Sequence, residues 1–212
     1  MQGPLPPVIG LTGGIAAGKT TVSARLAELG AHIIDADRIG HEIIAPGAPA
    51  YDPVVAAFGR EILAPDGSID RRKLGARVFS GPEQLKRLNG ISHPIMAQRM
   101  ADEIAAVRAR RPAERPRLIV LDAAILLEAG WERLCDAVWT VEAAPEAALA
   151  RLMARNGLTE DQARGRLDAQ WSNAERAHRA QRVVANSGTI DALKDAVTVL
   201  WREAVSGTGA AP

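Results

Sequence analysis

Short apolar runs alternate along this chain with longer stretches in which apolar residues recur every three or four positions. Val8-Ile9-Gly10-Leu11-Thr12 reads as a buried strand; Val22, Leu26 and Leu29 after it fall on one helical stripe that Gly30 ends. His32-Ile33-Ile34-Asp35 predicts a second strand and Leu118-Ile119-Val120-Leu121-Asp122 a third. Ala137-Val138-Trp139-Thr140-Val141 and Arg182-Val183-Val184-Ala185-Asn186 complete a set of five. Runs this continuously apolar suit strands covered on both faces, so the order of elements predicts an α/β fold with a parallel sheet. A last helix carries Ile190, Leu193, Val197, Leu200 and Ala204 on one stripe, and the tail 206–212 is expected to fray.

Two segments interrupt this rhythm. Residues 36–117 separate the second and third strands. There Ser80-Gly81-Pro82-Glu83 has capping-box spacing and should open a helix. Asn89-Gly90-Ile91-Ser92-His93-Pro94 reads as a turn-rich step before a second helix over 95–107, and the polar stretch 108–117 reads as an exposed loop. After the fourth strand, Thr159-Glu160-Asp161-Gln162 is another capping box. It should start a helix rich in arginine (Arg164, Arg166, Arg176, Arg179), whose default reading is a solvated face. The expected organisation is one domain. Its core comprises 8–35, 118–150 and 182–205, with a helical insertion at 36–117 and a second at 151–181.

Composition narrows the classes. A chain of 212 residues can bury a sizeable core in one domain. With 26 basic and 25 acidic residues and no basic block, nothing points to a nucleic-acid partner. The single cysteine, Cys135, cannot close an internal disulfide, which fits a reducing compartment. Beside Ala137-Val138-Trp139 it reads as a buried, inert thiol. The first residues show no basic segment followed by an apolar one, and no apolar run has membrane-spanning length. The expectation is a cytoplasmic protein without a membrane partner.

The chemistry begins at Gly13-Gly14-Ile15-Ala16-Ala17-Gly18-Lys19-Thr20, which fits G-x-x-x-x-G-K-[ST] between a strand and a helix. Backbone N–H groups of such a loop form a nest for phosphate, reinforced by the positive end of the following helix. Gly13 and Gly18 allow backbone angles or close approaches that a Cβ would hinder. Lys19 would meet the β- and γ-phosphates and the Thr20 hydroxyl would ligate Mg²⁺. The candidate triphosphate set therefore runs through Gly13, Gly14, Ile15, Ala16, Ala17, Gly18, Lys19, Thr20 and Thr21. Asp122 closes an apolar strand where a carboxylate can hold Mg²⁺, the alternative being a solvated strand-end aspartate. Asp35-Ala36-Asp37 closes the second strand; Asp37 is the preferred general base, and one of the pair is expected to cap a helix. Arg155, just before the second capping box, could reach transferred phosphoryl oxygens. The segment around it reads as a lid that excludes water.

At these residues the chain resembles dephospho-coenzyme A kinase, from about Val8 to Leu200. The matching pieces are Ile9-Gly10-Leu11-Thr12-Gly13-Gly14-Ile15 with its loop, Ile34-Asp35-Ala36-Asp37, Pro46-Gly47 and Asp70-Arg71-Arg72-Lys73-Leu74. They continue with His93-Pro94, Leu121-Asp122 through Glu128, Arg151 through Arg155 with Gly157-Leu158-Thr159, and Asn186-Ser187-Gly188. The resemblance implies ATP-dependent phosphorylation of the ribose 3′-hydroxyl of dephospho-CoA on a three-layer α/β/α P-loop kinase fold with a five-stranded sheet. The insertion would bind the acceptor and the lid would follow the fourth strand. It implies Asp37 as base, Arg155 on the phosphates, Arg72 and His93 on the acceptor, Asn186 near adenine, and ATP with Mg²⁺ as cofactors. The family usually has Gly then Ser where this chain has Ala16 and Ala17, and an acidic residue is common at Gln181. Ala124-Ile125-Leu126-Leu127-Glu128, with Ala129-Gly130-Trp131, is closer to the kinase domain of the animal bifunctional CoA synthase. Three other readings compete, of which an ATP-driven motor or transporter subunit would need signature loops that this sequence lacks. A GTPase-like module would need Asn/Thr-Lys-x-Asp, which no lysine here provides; nucleoside monophosphate and sugar kinases share the same core requirements.

Overall fold

The computed structural model describes residues 4–206, so the expected frayed tail lies, beyond Ser206, outside the described residues. Five strands are present: β1 (Val8–Gly13), β2 (His32–Asp35), β3 (Ile119–Asp122), β4 (Ala137–Glu142) and β5 (Arg182–Ala185). Each lies within a residue of its expected place. They form one sheet in the order β2-β3-β1-β4-β5, with β3 and β4 flanking β1 in parallel and β5 parallel to β4. All of β1 is buried, as the central strand of a parallel sheet covered on both faces must be. Because the chain passes from β3 over β1 to β4, the carboxyl end of β1 is a switch point, where α/β sheets bind ligands.

The helices are α1 (Lys19–Glu28), α2 (Ala36–Glu42), α3 (Tyr51–Phe58), α4 (Arg71–Val78), α5 (Pro82–Arg108), α6 (Pro145–Asn156), α7 (Glu160–Asp168), α8 (Asn173–Arg179) and α9 (Ile190–Val205). The chain divides into two compact units, 4–34 with 104–206, and Asp35–Glu103. In the first, Ile9 and Leu11 of β1, Trp139 and Val141 of β4 and Val184 of β5 pack against Val22 and Leu26 of α1 and Leu193 and Val197 of α9. Each such side chain contributes about 1.5–3 kcal/mol when fully buried. On the other face of β1, a Cβ at Gly10 would lie 2.6 Å from Leu126 and 2.8 Å from the Cys135 sulfur, so the chain after β3 rests directly on the strand. The expected α9 stripe holds from Leu193 onward. Ile190, the first residue of the helix, is 65% exposed and takes no part in it.

In the second unit the aspartates act as punctuation. Asp35 caps α2 by accepting from the Asp37 and Arg38 N–H groups at 2.8 and 3.2 Å, and Asp70 caps α4 through Arg72 and Lys73 at the same distances. A 3₁₀ turn, Arg60–Ile62, packs on both α3 and α4. Two expectations fail here. A helix does open at Ser80–Glu83, but not through a capping box: Pro82 takes the first helical position, which suits its missing N–H. Ser80 is left outside the helix, with Oγ donating to the Arg77 carbonyl at 2.7 Å. His93-Pro94 is not a turn either, because α5 runs straight through it. Proline removes one rung of the helical ladder and crowds the carbonyl four residues back. That residue is Gly90, and a helix of 27 residues carries one missing rung.

A third expectation is corrected after β4. The arginine-rich stretch is two helices rather than one. Thr159 and Gln162 form the anticipated capping box of α7; Ser172 and Glu175 form a second one that opens α8.

Candidate nucleotide-binding site

β1 delivers the Gly-rich loop hard against β4. A Cβ at Gly13 would lie 2.7 Å from the Val141 carbonyl oxygen, so close approach rather than an unusual torsion demands glycine there. Gly18 adopts the left-handed region at φ 102°, as the N-cap of α1. Ala16 does too, at φ 60°, alone among the described non-glycine residues. For an alanine this costs about 1–2 kcal/mol. Ala17 buries its methyl group in the core beneath α1 and α9. The Ala17 N–H closes a turn onto the Gly14 carbonyl at 3.1 Å. Lys19 and Thr20 begin α1, where N–H groups lack helical partners and the helix end is electropositive.

The pairing of Leu11 with Asp122 sets the end of β3 beside this loop. The Lys19 ammonium forms an ion pair with the Asp122 carboxylate, the two side chains being 19% and 12% exposed. The Thr20 side chain is exposed, and its hydroxyl makes no hydrogen bond among the described residues. No group of three or more His, Cys, Asp or Glu is placed to hold a metal ion among those residues. One hydroxyl and one carboxylate nonetheless suit a hard cation that keeps its waters and takes its remaining ligands from phosphates, as Mg²⁺ does.

The segment after β4 reaches the loop through Gln170, which sequence reasoning did not single out, and through Arg151, which entered only as one end of a matching piece. Gln170 accepts the Ile15 N–H at 2.9 Å, and Arg151 of α6 approaches the Ala16 carbonyl at 3.4 Å. Asn186, 8% exposed at the end of β5, donates from Nδ2 to the Ala17 carbonyl at 2.8 Å. Arg155 is exposed in the last turn of α6, its Nε bonded to Asn156 at 3.1 Å. Arg164 and Arg179 behave as a solvated face should, pairing with Glu160 and stacking on Trp171. Arg176 overturns that reading. Only 1% exposed, it donates to the Trp171 carbonyl at 2.5 Å and to Glu128 at 3.2 Å. Glu142, at the end of β4, has its carboxyl pushed up by burial, an effect that Arg176 opposes. A cavity of about 350 Å³ opens here, bordered by Gly14, Ile15 and Ala17 of the loop, Pro145 and Ala148 of α6, and Trp171.

Lys19, Thr20, Asp122 and Asn186 thus come together around the loop in the first unit, while Asp37, Arg72 and His93 belong to the second. Of the two aspartates at the end of β2 and the start of α2, Asp35 is the cap. Asp37 is exposed in the first turn of α2, and its carboxylate has no partner among the described residues. Arg72 is exposed in the first turn of α4. His93 is half-buried in α5, and that burial holds its imidazole below the usual histidine range.

A family model described as dephospho-CoA kinase matches residues 7–192. A dephospho-CoA kinase of Symbiobacterium thermophilum is 43% identical over 206 residues, covering 97% of this chain and 84% of the relative. One from Geobacillus kaustophilus is 48% identical over 182 residues, covering 85% and 88%. Among solved structures, TT1252 from Thermus thermophilus superposes with a TM-score of 0.75 at 31% identity, over 94% of this chain and 98% of that one.

Proposed function

Because the chain belongs to the dephospho-CoA kinase family, we propose that Asp37 is the general base of its reaction and that the Gly13–Thr20 loop, Lys19 and Asp122 handle the triphosphate. The family's reaction passes the γ-phosphoryl group of ATP to the ribose 3′-hydroxyl of dephospho-CoA, the last step of coenzyme A synthesis. The loop N–H groups and α1 receive the phosphates. Lys19 would exchange the Asp122 carboxylate for phosphate oxygens, and Asp122 with the Thr20 hydroxyl would hold Mg²⁺. The cation, once bound, offsets charge on the β- and γ-oxygens.

The 3′-oxygen attacks the γ-phosphorus while the bond to the bridging oxygen breaks, and ADP leaves. The hydroxyl proton passes to the Asp37 carboxylate. What supports this choice is the division of labour in Asp35-Ala36-Asp37: the cap occupies Asp35 and leaves both Asp37 oxygens available. Asp35–Glu103 would take the acceptor, with Arg72 and His93 contacting it, and 151–181 would form the lid that brings Arg155 to the phosphates. A cytoplasmic location fits the free thiol of Cys135.

An acceptor panel with matched variants tests the proposal. Dephospho-CoA should yield ADP far faster than AMP, CMP or gluconate. Asp37→Asn should lower kcat by about 10²–10⁴-fold with ATP affinity nearly intact. Asp35→Asn should stay active, since asparagine also caps helices. Equal turnover of another acceptor, or an active Asp37→Asn enzyme, defeats the assignment.

A further inference from the structure

Three side chains remote in sequence bond to the backbone of three consecutive loop residues. Gln170 takes the N–H of Ile15, Arg151 meets the carbonyl of Ala16, and Asn186 meets the carbonyl of Ala17. They come from the turn between α7 and α8, from α6 and from the end of β5. We infer that Gln170, Arg151 and Asn186 are positioning residues that hold this loop in its phosphate-binding shape, Asn186 being the principal one.

The need for such struts lies in the sequence of the loop. Ala16 sits in the left-handed region that glycine occupies freely, so the unrestrained loop drifts toward other backbone angles. A strained residue persists only where its surroundings over-determine it. Here its own carbonyl and that of the next residue are both engaged, and the N–H before it is engaged as well. Arg151, exposed and at 3.4 Å, is the weakest of the three contacts.

Asn186 acts at the most sensitive point. In a trans peptide the C=O and the following N–H point in opposite directions. Fixing the Ala17 carbonyl on Asn186 therefore turns the Gly18 N–H, which has no hydrogen-bond partner among the described residues, away from Asn186. The contact is built tightly: a Cβ at Gly18 would lie 2.3 Å from Asn186 Nδ2. Gly18 is thus glycine for two reasons, its φ of 102° and the amide lying on it. The Asn186 N–H is itself fixed, donating to the Glu142 carbonyl at 2.6 Å. The amide's hydrogen bond to the loop is made to a backbone carbonyl, so a role exerted through it does not depend on the base of the nucleotide.

That last property separates this role from contact with adenine, and it supplies the test. The inference rests on the loop binding a triphosphate. Wild-type protein must therefore first bind ATP and inorganic tripolyphosphate by calorimetry, and failure at that step refutes the functional reading itself. Asn186→Leu keeps the approximate shape and removes the donor; it should raise the Kd of ATP, GTP and tripolyphosphate by a common factor of about 10. KM for dephospho-CoA should be unchanged. Restoring glycine with Ala16→Gly in the Asn186→Leu background should recover about 3–5-fold, because the strain that the strut opposes is gone. Gln170→Met, at a half-buried position that tolerates change more easily than Asn186, should act in the same direction on all three ligands. Weaker ATP binding with tripolyphosphate unaffected in both variants overturns the inference in favour of a base contact. Unchanged binding of all three ligands overturns it outright.

Discussion

Replacing Arg176 by methionine isolates the energetics of the buried charge behind the loop. The guanidinium is 1% exposed and serves two acceptors, the Trp171 carbonyl and the Glu128 carboxylate, across 48 positions of sequence. Methionine refills most of the stem, so loss of packing is small. What remains is a carboxylate without its cation and a carbonyl without its donor. Removing one partner of a fully buried pair costs about 3–5 kcal/mol. Glu128 is 25% exposed and can rehydrate in part, which lowers that term to about 2–3 kcal/mol. The Trp171 carbonyl adds about 1 kcal/mol. A loss of about 3–4 kcal/mol corresponds to a Tm lower by about 6–15 °C at this chain length. All four tryptophans (131, 139, 171, 201) lie in the unit that contains Arg176, so their fluorescence reports its unfolding. In a double-mutant cycle, Glu128→Gln should recover 1 kcal/mol or more, about what coupled neighbours show. A Tm within about 2 °C of wild type, or strict additivity, would mean that Arg176 is not bearing this load.

Two further outcomes follow from titratable groups. Burial pushes the Cys135 thiol up to about 12; since only the thiolate reacts, iodoacetamide at pH 8 should label the folded protein about 10³-fold slower than a free cysteine. Mass spectrometry reads this directly, and rapid labelling without unfolding contradicts it. His93, whose pKa is lowered by burial, favours the neutral form in the folded state. Its contribution to stability is present above its unfolded pKa, about 6.5, and is lost as pH falls through the lower folded value. Urea midpoints between pH 7 and 5 should therefore decline less in His93→Gln than in wild type, and a steeper decline in the variant contradicts the sign.

The strands were legible because a sheet covered on both faces leaves a plain mark: Leu-Ile-Val-Leu closed by Asp122, or His-Ile-Ile closed by Asp35. The loop was legible because its geometry demands glycine at Gly13 and Gly18. Pro94 misled because turn chemistry is local, whereas the helix through it is upheld by its whole length. Arg176 misled for a related reason. In sequence it belongs to a charge run, and nothing nearby announces that Glu128 and the Trp171 carbonyl make its burial tolerable. Gln170 meets its partner 155 positions away, beyond any local pattern. The second capping box, Ser172 to Glu175, was readable by the rule applied at Thr159.

The segment that carries Gln170 is fastened repeatedly to the rest of its unit: Gln170 to Ile15, Asn173 to the Ala143 carbonyl at 3.1 Å, and Arg176 to Glu128. The fastenings begin immediately after α7, whose charged side chains are exposed. In the proposed lid, a closing that brings Arg155 to the phosphates would therefore carry α6 and α7 together, since they pack on each other around the buried Ala163, while the segment from Gln170 onward stays fastened. Moving packed helices is the work of a lid, on microseconds to milliseconds, rather than of a loop tip. Opening over the phosphates would then be coupled to the departure of ADP, and would compete with chemistry for the slow step.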